Sequence, residues 1–290
     1  MKALRIAGVL VILAGVVFGL GVAVLLGLRS PSNDRAWAAD QSRLPEIEVI
    51  DGEARVRGIR DFRHRADGSV EARWRDETYN LDQARRVWFA LAPFASRYRG
   101  LAHSFLSFEF EDGRFLSVSV EARREVGEGY SLVGGLLQGF EVTYVVGTEE
   151  DLLGLRALRG DTLYLYPSVA TPEQTRAIFV DMLARARALA DTPEFYNTLT
   201  NNCTTNLRDH VNRVASARLP WGWGVLLPGF SDALALEHGL LDTGLDVQGA
   251  RARFRVDDRV RRALQEGGEG FSRRIREEAG PRATQPEEEA

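Results

Sequence analysis

Residues 103–122 read HSFLSFEFEDGRFLSVSVEA, a pattern typical of a β-hairpin. Aromatic and β-branched residues, which favour strands, fill residues 104–110 and 115–122, and Glu111-Asp112-Gly113 between them suits a three-residue loop with glycine in the left-handed position. In that register Phe110 pairs with Arg114. His103 then lies opposite Glu121, on the same side of the sheet.

Short segments of strand character lie on both sides of this hairpin. They are bounded by turn residues such as Asp51-Gly52, and they cover residues 46–50, 54–63, 70–74, 87–91, 140–146 and 162–166. A helix is predicted to follow Thr171-Pro172-Glu173-Gln174, which combines an N-cap, a proline at the first helical position and a capping-box glutamine. A block of strands followed by helices indicates an α+β domain with a mainly antiparallel sheet.

Residues 196–214 read YNTLTNNCTTNLRDHVNRV and predict a second helix, which begins at Cys203 or one residue away. Asn201 or Asn202 can cap it. The positive end of the helix dipole and the unpaired N–H groups of the first turn lower the pKa of a thiol and can hold an oxyanion. Cys203 is therefore a candidate nucleophile, with Asn202 and Thr204 as oxyanion support. The alternative is that Cys203 is a small buried apolar residue.

A thiolate nucleophile needs a base, and the chain has four histidines. His210 lies seven residues along the same helix, about 10.5 Å away at 1.5 Å per residue, too far to share a hydrogen bond with Cys203. His64 lies in a basic segment beside a turn, and His238 precedes a glycine at the end of a helical segment. His103, at the mouth of a strand, is the best candidate.

Glu121 is the candidate third member, because a carboxylate opposite His103 could orient the imidazole. Two alternatives stay open. Glu121 could be a solvent-facing member of the charged run 121–125, and a two-residue Asp112-Gly113 turn would place Ala122 opposite His103 instead.

The 290-residue chain has the composition of an ordinary globular protein, with 44% hydrophobic and 27% charged residues. Its formal net charge of -4 argues against a dedicated nucleic-acid-binding protein. The single cysteine excludes an intrachain disulfide framework. Cys203 and His210 form only a C-x6-H pair, which is too few ligands for zinc. The sequence therefore predicts neither a metal site nor a cofactor.

An uncharged apolar segment, residues 7–28, follows a short N-terminal tail of residues 1–6. At 1.5 Å per residue it spans roughly 30 Å, the thickness of the hydrocarbon core of a bilayer, which predicts one transmembrane helix. A cleaved signal peptide ending near Ala36-Trp37-Ala38 is the alternative, but the apolar segment is too long and ends too far upstream. Basic residues flank both ends, so the positive-inside rule does not determine the orientation.

The remaining boundaries follow from polarity. Residues 29–45 are predicted to form a linker. Its residues 30–43 are polar without apolar periodicity and reach at most about 50 Å when fully extended, which tethers the body near the bilayer. Residues 46–278 form the folded domain. Residues 279–290 contain two prolines and three consecutive glutamates, which predicts a disordered acidic tail.

Several segments together resemble the bacterial Lnb N-terminal periplasmic domain family over residues 46–278: LAHSFLSFEFEDGRFLSVSVEARREVGEGYS, FEVTYVVGTEEDLLGLR, TLYLYP, EFYNTLTNNCTTNLRDHVN, LPWGWGVLLPGFSDALALEHGLLDT and FSRRIRE. The order of a histidine strand and then a cysteine helix also resembles circularly permuted papain-like proteins of the NlpC/P60 and lecithin:retinol acyltransferase type. That resemblance implies that Cys203 is the nucleophile and His103 the base. The acyltransferase that gives the family its name continues into further membrane helices, whereas this chain has one N-terminal apolar segment.

The expected protein is a single-pass protein of the bacterial inner membrane whose catalytic domain lies in the periplasm. It would be a thiol acyltransferase or hydrolase, with a membrane phospholipid as acyl donor and a lipoprotein amine as possible acceptor. The apolar segment 221–230, WGWGVLLPGF, favours a lipid if Trp221 and Trp223 line a groove. A cell-wall peptide amidohydrolase with the same dyad and a non-catalytic envelope scaffold are the alternatives.

Overall fold

In the computed structural model of the protein, the described residues are 13, 15–17, 19–21, 24, 26–94, 100–215 and 218–277. The strands are β1 (Glu46–Ile50), β2 (Glu53–Arg60), β3 (Arg63–His64), β4 (Val70–Glu71), β5 (Trp74–Asn80), β6 (Ala84–Pro93), β7 (Ala102–Phe110), β8 (Phe115–Arg123), β9 (Glu141–Gly147) and β10 (Tyr164–Pro167). The α-helices are α1 (Leu132–Leu136), α2 (Glu149–Leu158), α3 (Pro172–Asp191), α4 (Cys203–Val214), α5 (Trp223–Leu226), α6 (Ser231–Glu237), α7 (Val247–Phe254), α8 (Asp257–Glu266) and α9 (Phe271–Arg274). Short 3-10 turns cover Ala39–Gln41, Leu81–Gln83 and Pro228–Phe230.

One sheet of eight strands, in the order β1-β2-β9-β8-β7-β6-β10 with β5 also paired to β2, organises the domain. Its neighbours are antiparallel except β2 and β9, which meet in parallel at Arg60 and Gly147. The prediction of an α+β domain with a mainly antiparallel sheet is confirmed. Two predicted strands differ from the observed ones. The strand predicted over 54–63 ends at Arg60, and the segment 70–74 is divided between β4 and β5.

The predicted hairpin register is confirmed. Phe105 pairs with Ser119 and Glu109 with Phe115, and the N–H of Phe110 donates to the carbonyl of Arg114 over 3.0 Å. Gly113 has φ +83°, the left-handed conformation that the three-residue loop requires and that glycine adopts without strain. The alternative turn, which would have placed Ala122 opposite His103, is therefore wrong.

Strands β7 and β8 separate at one end of this hairpin. Their pairing ends at Phe105 and Ser119, although β7 begins at Ala102 and stays paired with β6, and β8 continues beside β9 to Arg123. The sheet therefore opens between residues 102–104 of β7 and 120–123 of β8. We call this opening the β7–β8 split.

The two faces of the sheet carry different cores, because successive side chains of a strand point to opposite sides. Leu106 and Phe108 of β7 pack with α3 and α4, in one cluster with Phe179 and Leu207. Phe105 lies on the other face, in a cluster built largely from α2 and α8. The helix that begins at Cys203 therefore covers one face of β7, and α2 covers the opposite face.

Both predicted helix starts are confirmed by their caps. The side chain of Thr171 accepts a hydrogen bond from the N–H of Gln174, and the reciprocal capping-box bond is present. At α4 the side chain of Asn202 accepts from the N–H of Thr205, whose hydroxyl accepts from the N–H of Asn202. Each such cap stabilises its helix by about 1 kcal/mol, so the position of Cys203 at the start of α4 is set locally.

The linker prediction is wrong, because part of residues 29–45 packs against the domain. Trp37 is buried, and the guanidinium of Arg123 lies 4.2 Å from its ring centroid. Arg123 also donates to the carbonyl of Gln41 and to the side chain of Asn33. A buried guanidinium needs several acceptors, and this segment supplies them.

The predicted anchor, residues 7–28, lies largely outside the described residues. Within the part of the chain that is described, no helix is both long enough and apolar enough to span a bilayer. The predicted acidic tail, residues 279–290, lies entirely outside the described residues.

Candidate active site

Cys203 is the first residue of α4 and is only 4% exposed. Its Sγ lies 3.7 Å from the Oγ1 of Thr204, and that hydroxyl is in turn 3.2 Å from the Oγ of Ser104 on β7. The start of α4 is therefore attached to the first residues of β7, close to the β7–β8 split.

Two backbone N–H groups at this helix start have no acceptor among the described residues. The first four N–H groups of a helix have no intrahelical acceptor. The capping box uses those of Asn202 and Thr205, which leaves those of Cys203 and Thr204. Adjacent free N–H groups at the positive end of a helix dipole suit the oxyanion of an acyl-transfer intermediate. Asn202 supports this arrangement as the cap rather than as a donor to the oxyanion.

His103 is held by a chain of hydrogen bonds that also fixes its tautomer. Its Nε2 lies 2.7 Å from the Oγ of Ser119, and Ser119 donates to Oε1 of Glu121 over 2.9 Å. A hydroxyl has one proton, so Ser119 must accept from His103, and Nε2 carries the imidazole hydrogen. Nδ1 is then unprotonated. This is the nitrogen that can take a proton from a thiol.

Glu121 contacts His103 mainly through Ser119. The direct separation of Nε2 and Oε1 is 3.8 Å, while Arg156 on α2 lies 3.2 Å from the same carboxylate oxygen. Gln41 donates to the other oxygen over 3.1 Å. The alternative of a solvent-facing Glu121 is wrong, because three neighbouring residues bind this carboxylate inside the protein.

The electrostatics favour a neutral imidazole beside an ionised carboxylate. Burial, and next the positive charge of Arg156, lower the pKa of His103 to about 3, although Glu121 acts in the opposite direction. Burial would raise the pKa of Glu121, but the charge of Arg156 and the hydrogen bond from Ser119 help to hold it below its usual range. His103 is therefore uncharged at neutral pH and can accept a proton on Nδ1, although the lowered pKa makes it a weaker base than an ordinary imidazole.

Cys203 and His103 line the same cavity, which has a volume of about 380 Å³ and extends through the β7–β8 split. We call it the split cavity. Glu121 and Arg156 line it from the side of α2, whereas Tyr196 and Asn202 line it from the side of α4. Burial, and next the proximity of Cys203, raise the pKa of Tyr196, so its hydroxyl keeps its proton.

The structure does not bring the two predicted catalytic residues into direct contact. His103 lies on the β7 face of Phe105, with a ring-centroid separation of 5.9 Å, and that face is opposite to the one covered by α4. Among the described residues, the sulfur of Cys203 has a polar contact to Thr204 and His103 to Ser119, and no hydrogen bond joins the thiol to the imidazole. The pair shares a cavity, but its hydrogen bond is not formed here.

The two tryptophans do not form the groove that the sequence suggested. Trp221 is 54% and Trp223 75% exposed, and neither lines the split cavity. The following residues of the same segment do so, because α5 turns Leu226 inward, together with Pro228.

Two of the other histidines, His210 and His64, have structural partners. His210 is buried, with Nε2 at 2.6 Å from the hydroxyl of Tyr144 and Nδ1 at 2.5 Å from Asp181. His64 binds the buried Asp151 over 2.8 Å. Within the described ranges, no group of three or more histidine, cysteine, aspartate or glutamate side chains is placed to hold a metal ion.

Sequence reasoning missed Ser119, Arg156 and Tyr196. Ser119 lies two residues before Glu121 on the same face of β8, so the confirmed register contained the signal. Arg156 and Tyr196 approach the cavity from α2 and from the loop before α4, and no local pattern in the sequence pairs them with β8.

A model of the Lnb N-terminal periplasmic domain family matches residues 71–229, which is more than half of the chain and includes His103, Glu121 and Cys203. No curated protein and no solved structure matches the chain. The predicted family is confirmed, while the likeness to NlpC/P60 proteins stays a prediction.

Proposed function

The chain belongs to the Lnb N-terminal periplasmic domain family, and we propose that it is a membrane-anchored enzyme of the periplasm that transfers or hydrolyses acyl groups through Cys203. The observation that carries the proposal is the position of Cys203. It lies at a helix start with two free N–H groups, in a cavity shared with a neutral, oriented histidine.

The proposed reaction has two steps. His103 takes the thiol proton on Nδ1, directly or through one water, and the sulfur attacks the carbonyl carbon of an ester. The N–H groups of Cys203 and Thr204 hold the oxyanion. The C–O bond then breaks, the leaving alcohol takes the proton from the imidazolium, and a thioester remains. An amine or water attacks the thioester, gives an amide or a free acid, and restores the thiol.

The hydrogen bond missing between Cys203 and His103 can form by a local motion. Catalytic hydrogen bonds are often long or absent without substrate. No hydrogen bond to β8 opposes a shift of His103 toward the cavity, because the pairing of β7 with β8 ends at Phe105, whereas β7 stays paired with β6 at His103. A cavity of about 380 Å³ also has room for the bridging water.

Exposed apolar residues beside the end of the predicted anchor favour a lipid substrate. Val133 on α1 is 63% exposed, and Leu136 and Leu137 are also exposed. Arg29, the first residue after the apolar segment 7–28, donates to the carbonyl of Leu137 over 2.9 Å. Leu132 of the same helix lines the split cavity. If residues 7–28 span the membrane, α1 and the cavity both lie near its surface.

The rival reading is an amidohydrolase that acts on cell-wall peptide. It is favoured by the charged residues of the split cavity, since Arg124, Arg156, Arg159 and Asp161 are among its lining residues. Such a lining could bind a polar substrate.

Intact-mass analysis of the full chain tests the proposal. After incubation with vesicles of phosphatidylethanolamine and phosphatidylglycerol, we expect an added mass equal to one acyl chain, located on Cys203 by peptide mapping. Vesicles of ether-linked lipids, which have no ester to attack, are the control and should give no adduct. Absence of an adduct with ester lipids, together with hydrolysis of a cell-wall peptide, would favour the amidohydrolase.

Removal of residues 1–28 should separate the role of the anchor from the chemistry. The truncation ends before Arg29, because residues 33–41 pack on the domain. A tether raises the effective concentration of a membrane substrate without changing the reacting groups. We therefore expect the exported, truncated protein to lose activity in cells and to keep it toward detergent-dispersed phospholipid. Equal activity of both forms in cells would indicate a soluble or cell-wall substrate.

A further inference from the structure

A second cavity, of about 330 Å³, lies on the other side of Thr204. It is lined by residues of α3, α4, α6, β6 and β7, by Leu219 and Val225, and by the segments 168–170 and 238–241. We call it the apolar cavity. Its walls are mainly aliphatic, and they include Leu207, Val211, Leu219, Val225, Leu234 and Leu241. The mechanism proposed above does not use it.

The two cavities are separated by a thin wall next to the nucleophile. Cys203 lines the split cavity, and the next residue, Thr204, lines the apolar cavity. On the opposite side, Leu226 lines the split cavity and Val225 lines the apolar one. The Thr204 hydroxyl meets Ser104 over 3.2 Å, which is long for a hydroxyl–hydroxyl bond and therefore weak.

The lining of the apolar cavity favours a hydrocarbon chain over a peptide. A peptide would bring backbone N–H and C=O groups into a space with few partners for them, which is unfavourable. The polar side chains in its lining are those of Ser168, Gln174, Thr204, Arg208, Ser231 and His238. Thr204 is already bonded to Ser104, Ser231 to the carbonyl of Pro228, and Arg208 to the carbonyl of Leu219. A cavity of about 150 Å³ can hold benzene, so this one has room for about a dozen chain carbons.

We propose that the apolar cavity holds the acyl chain of a membrane lipid while its carbonyl carbon reaches Cys203 in the split cavity. The inference deepens the proposed function and rests on it for the reaction at Cys203. In this arrangement the split cavity receives the polar part of the lipid, and the Thr204–Ser104 contact opens to let the chain pass between the two cavities.

Photo-crosslinking of the full chain tests this assignment without catalysis. The Cys203→Ala protein is placed in vesicles of phosphatidylethanolamine that contain phosphatidylglycerol with a diazirine near the end of one acyl chain. After irradiation, we expect labelled peptides from α4 and α6, which contribute Leu207, Val211 and Leu234 to the cavity. Labelling confined to other peptides would overturn the proposal. So would labelling of α4 and α6 by a free diazirine fatty acid alone, because the source would then not be a membrane lipid.

Two alanines on α6 provide a matched pair of variants. Ala235 lines the apolar cavity, whereas Ala233, also half-buried, does not. Ala235→Phe should lower the labelling of α4 by about tenfold. Each methylene of the acyl chain that the new ring displaces from the cavity lowers the affinity by roughly a factor of four. Ala233→Phe should leave it unchanged. If Ala235→Phe does not fold, Ala170→Phe fills the cavity from another wall. Equal labelling in the cavity-filling and control variants would overturn the proposal.

The two proposals fail in distinguishable ways. If α4 and α6 are labelled but Cys203 of the unmodified protein never carries an acyl group, the lipid site stands and the catalytic proposal fails. If Cys203 is acylated but neither helix is labelled, the catalytic proposal stands and the acyl chain lies elsewhere.

Discussion

Cys203→Ala should lower acyl transfer by about 10³-fold or more, because no other described group in the split cavity can form the thioester. The protein should still fold. Removing one sulfur from the cluster that Cys203 shares with Leu207 should lower the free energy of unfolding by about 1 kcal/mol. The measurements are the acyl adduct by intact mass, the turnover of a phospholipid donor, and thermal unfolding.

Cys203→Ser is the control for shape. It keeps nearly the same volume and the hydrogen bond toward Thr204, but a hydroxyl is not ionised by one imidazole and a helix start as a thiol can be. We expect it to be almost as inactive as Cys203→Ala. A Cys203→Ala protein that acylates its acceptor normally, or that complements a deletion strain, would reject the enzyme proposal and favour an envelope scaffold.

Local chemistry made the cysteine helix and the hairpin predictable. The start of α4 follows from Asn202 and Thr205, whose capping box needs no tertiary partner. The hairpin follows from Asp112 and Gly113, but its register does not, because a three-residue loop and a two-residue Asp-Gly turn both place glycine in the left-handed conformation. The pairing of Glu109 with Phe115 in the structure selects the three-residue loop.

Tertiary contacts decided the rest. Arg156 reaches Glu121 from α2, which covers the same face of the sheet, and nothing in the composition of α2 indicates this contact. The segment after the predicted anchor has the pattern of a free linker, because its polar residues have no periodicity. It packs on the domain because Arg123 of β8 donates to the carbonyl of Gln41 and lies over the ring of Trp37. The sequence does not predict the separation of β7 and β8 either, because the strand pattern continues through the residues where they separate.

The sequence also does not show whether His103 and α4 lie on the same face of β7. The register correctly placed His103 on the side of Glu121, but which face of β7 receives α4 depends on the packing of Leu106 and Phe108 with α3 and α4. The base and the nucleophile consequently approach their common cavity from opposite faces. A variant that lacks the imidazole of His103 tests whether the two residues act together.

His103→Gln should lower the rate of Cys203 acylation by about 10²- to 10⁴-fold, the range that a positioned general base contributes. His64→Gln is the matched control, because His64 is also buried and bound to a carboxylate but does not line the split cavity. The control should keep its activity even if it loses comparable stability. Equal rates for the two variants would remove His103 from the mechanism.

The pH dependence of the acylation rate tests the role of His103 as a base in the unmodified protein. A base acts only when it is unprotonated, so its activity falls as the pH drops through its pKa. With the pKa of His103 lowered from 6.5 to about 3 by burial and Arg156, the acylation rate should not decline between about pH 8 and pH 5. Arg156→Gln removes the cation and should raise this pKa, so that the acid side of the profile moves to higher pH. A decline on the acid side that is centred at the same pH in the unmodified protein and in the Arg156→Gln variant would show that the titrating base is not His103.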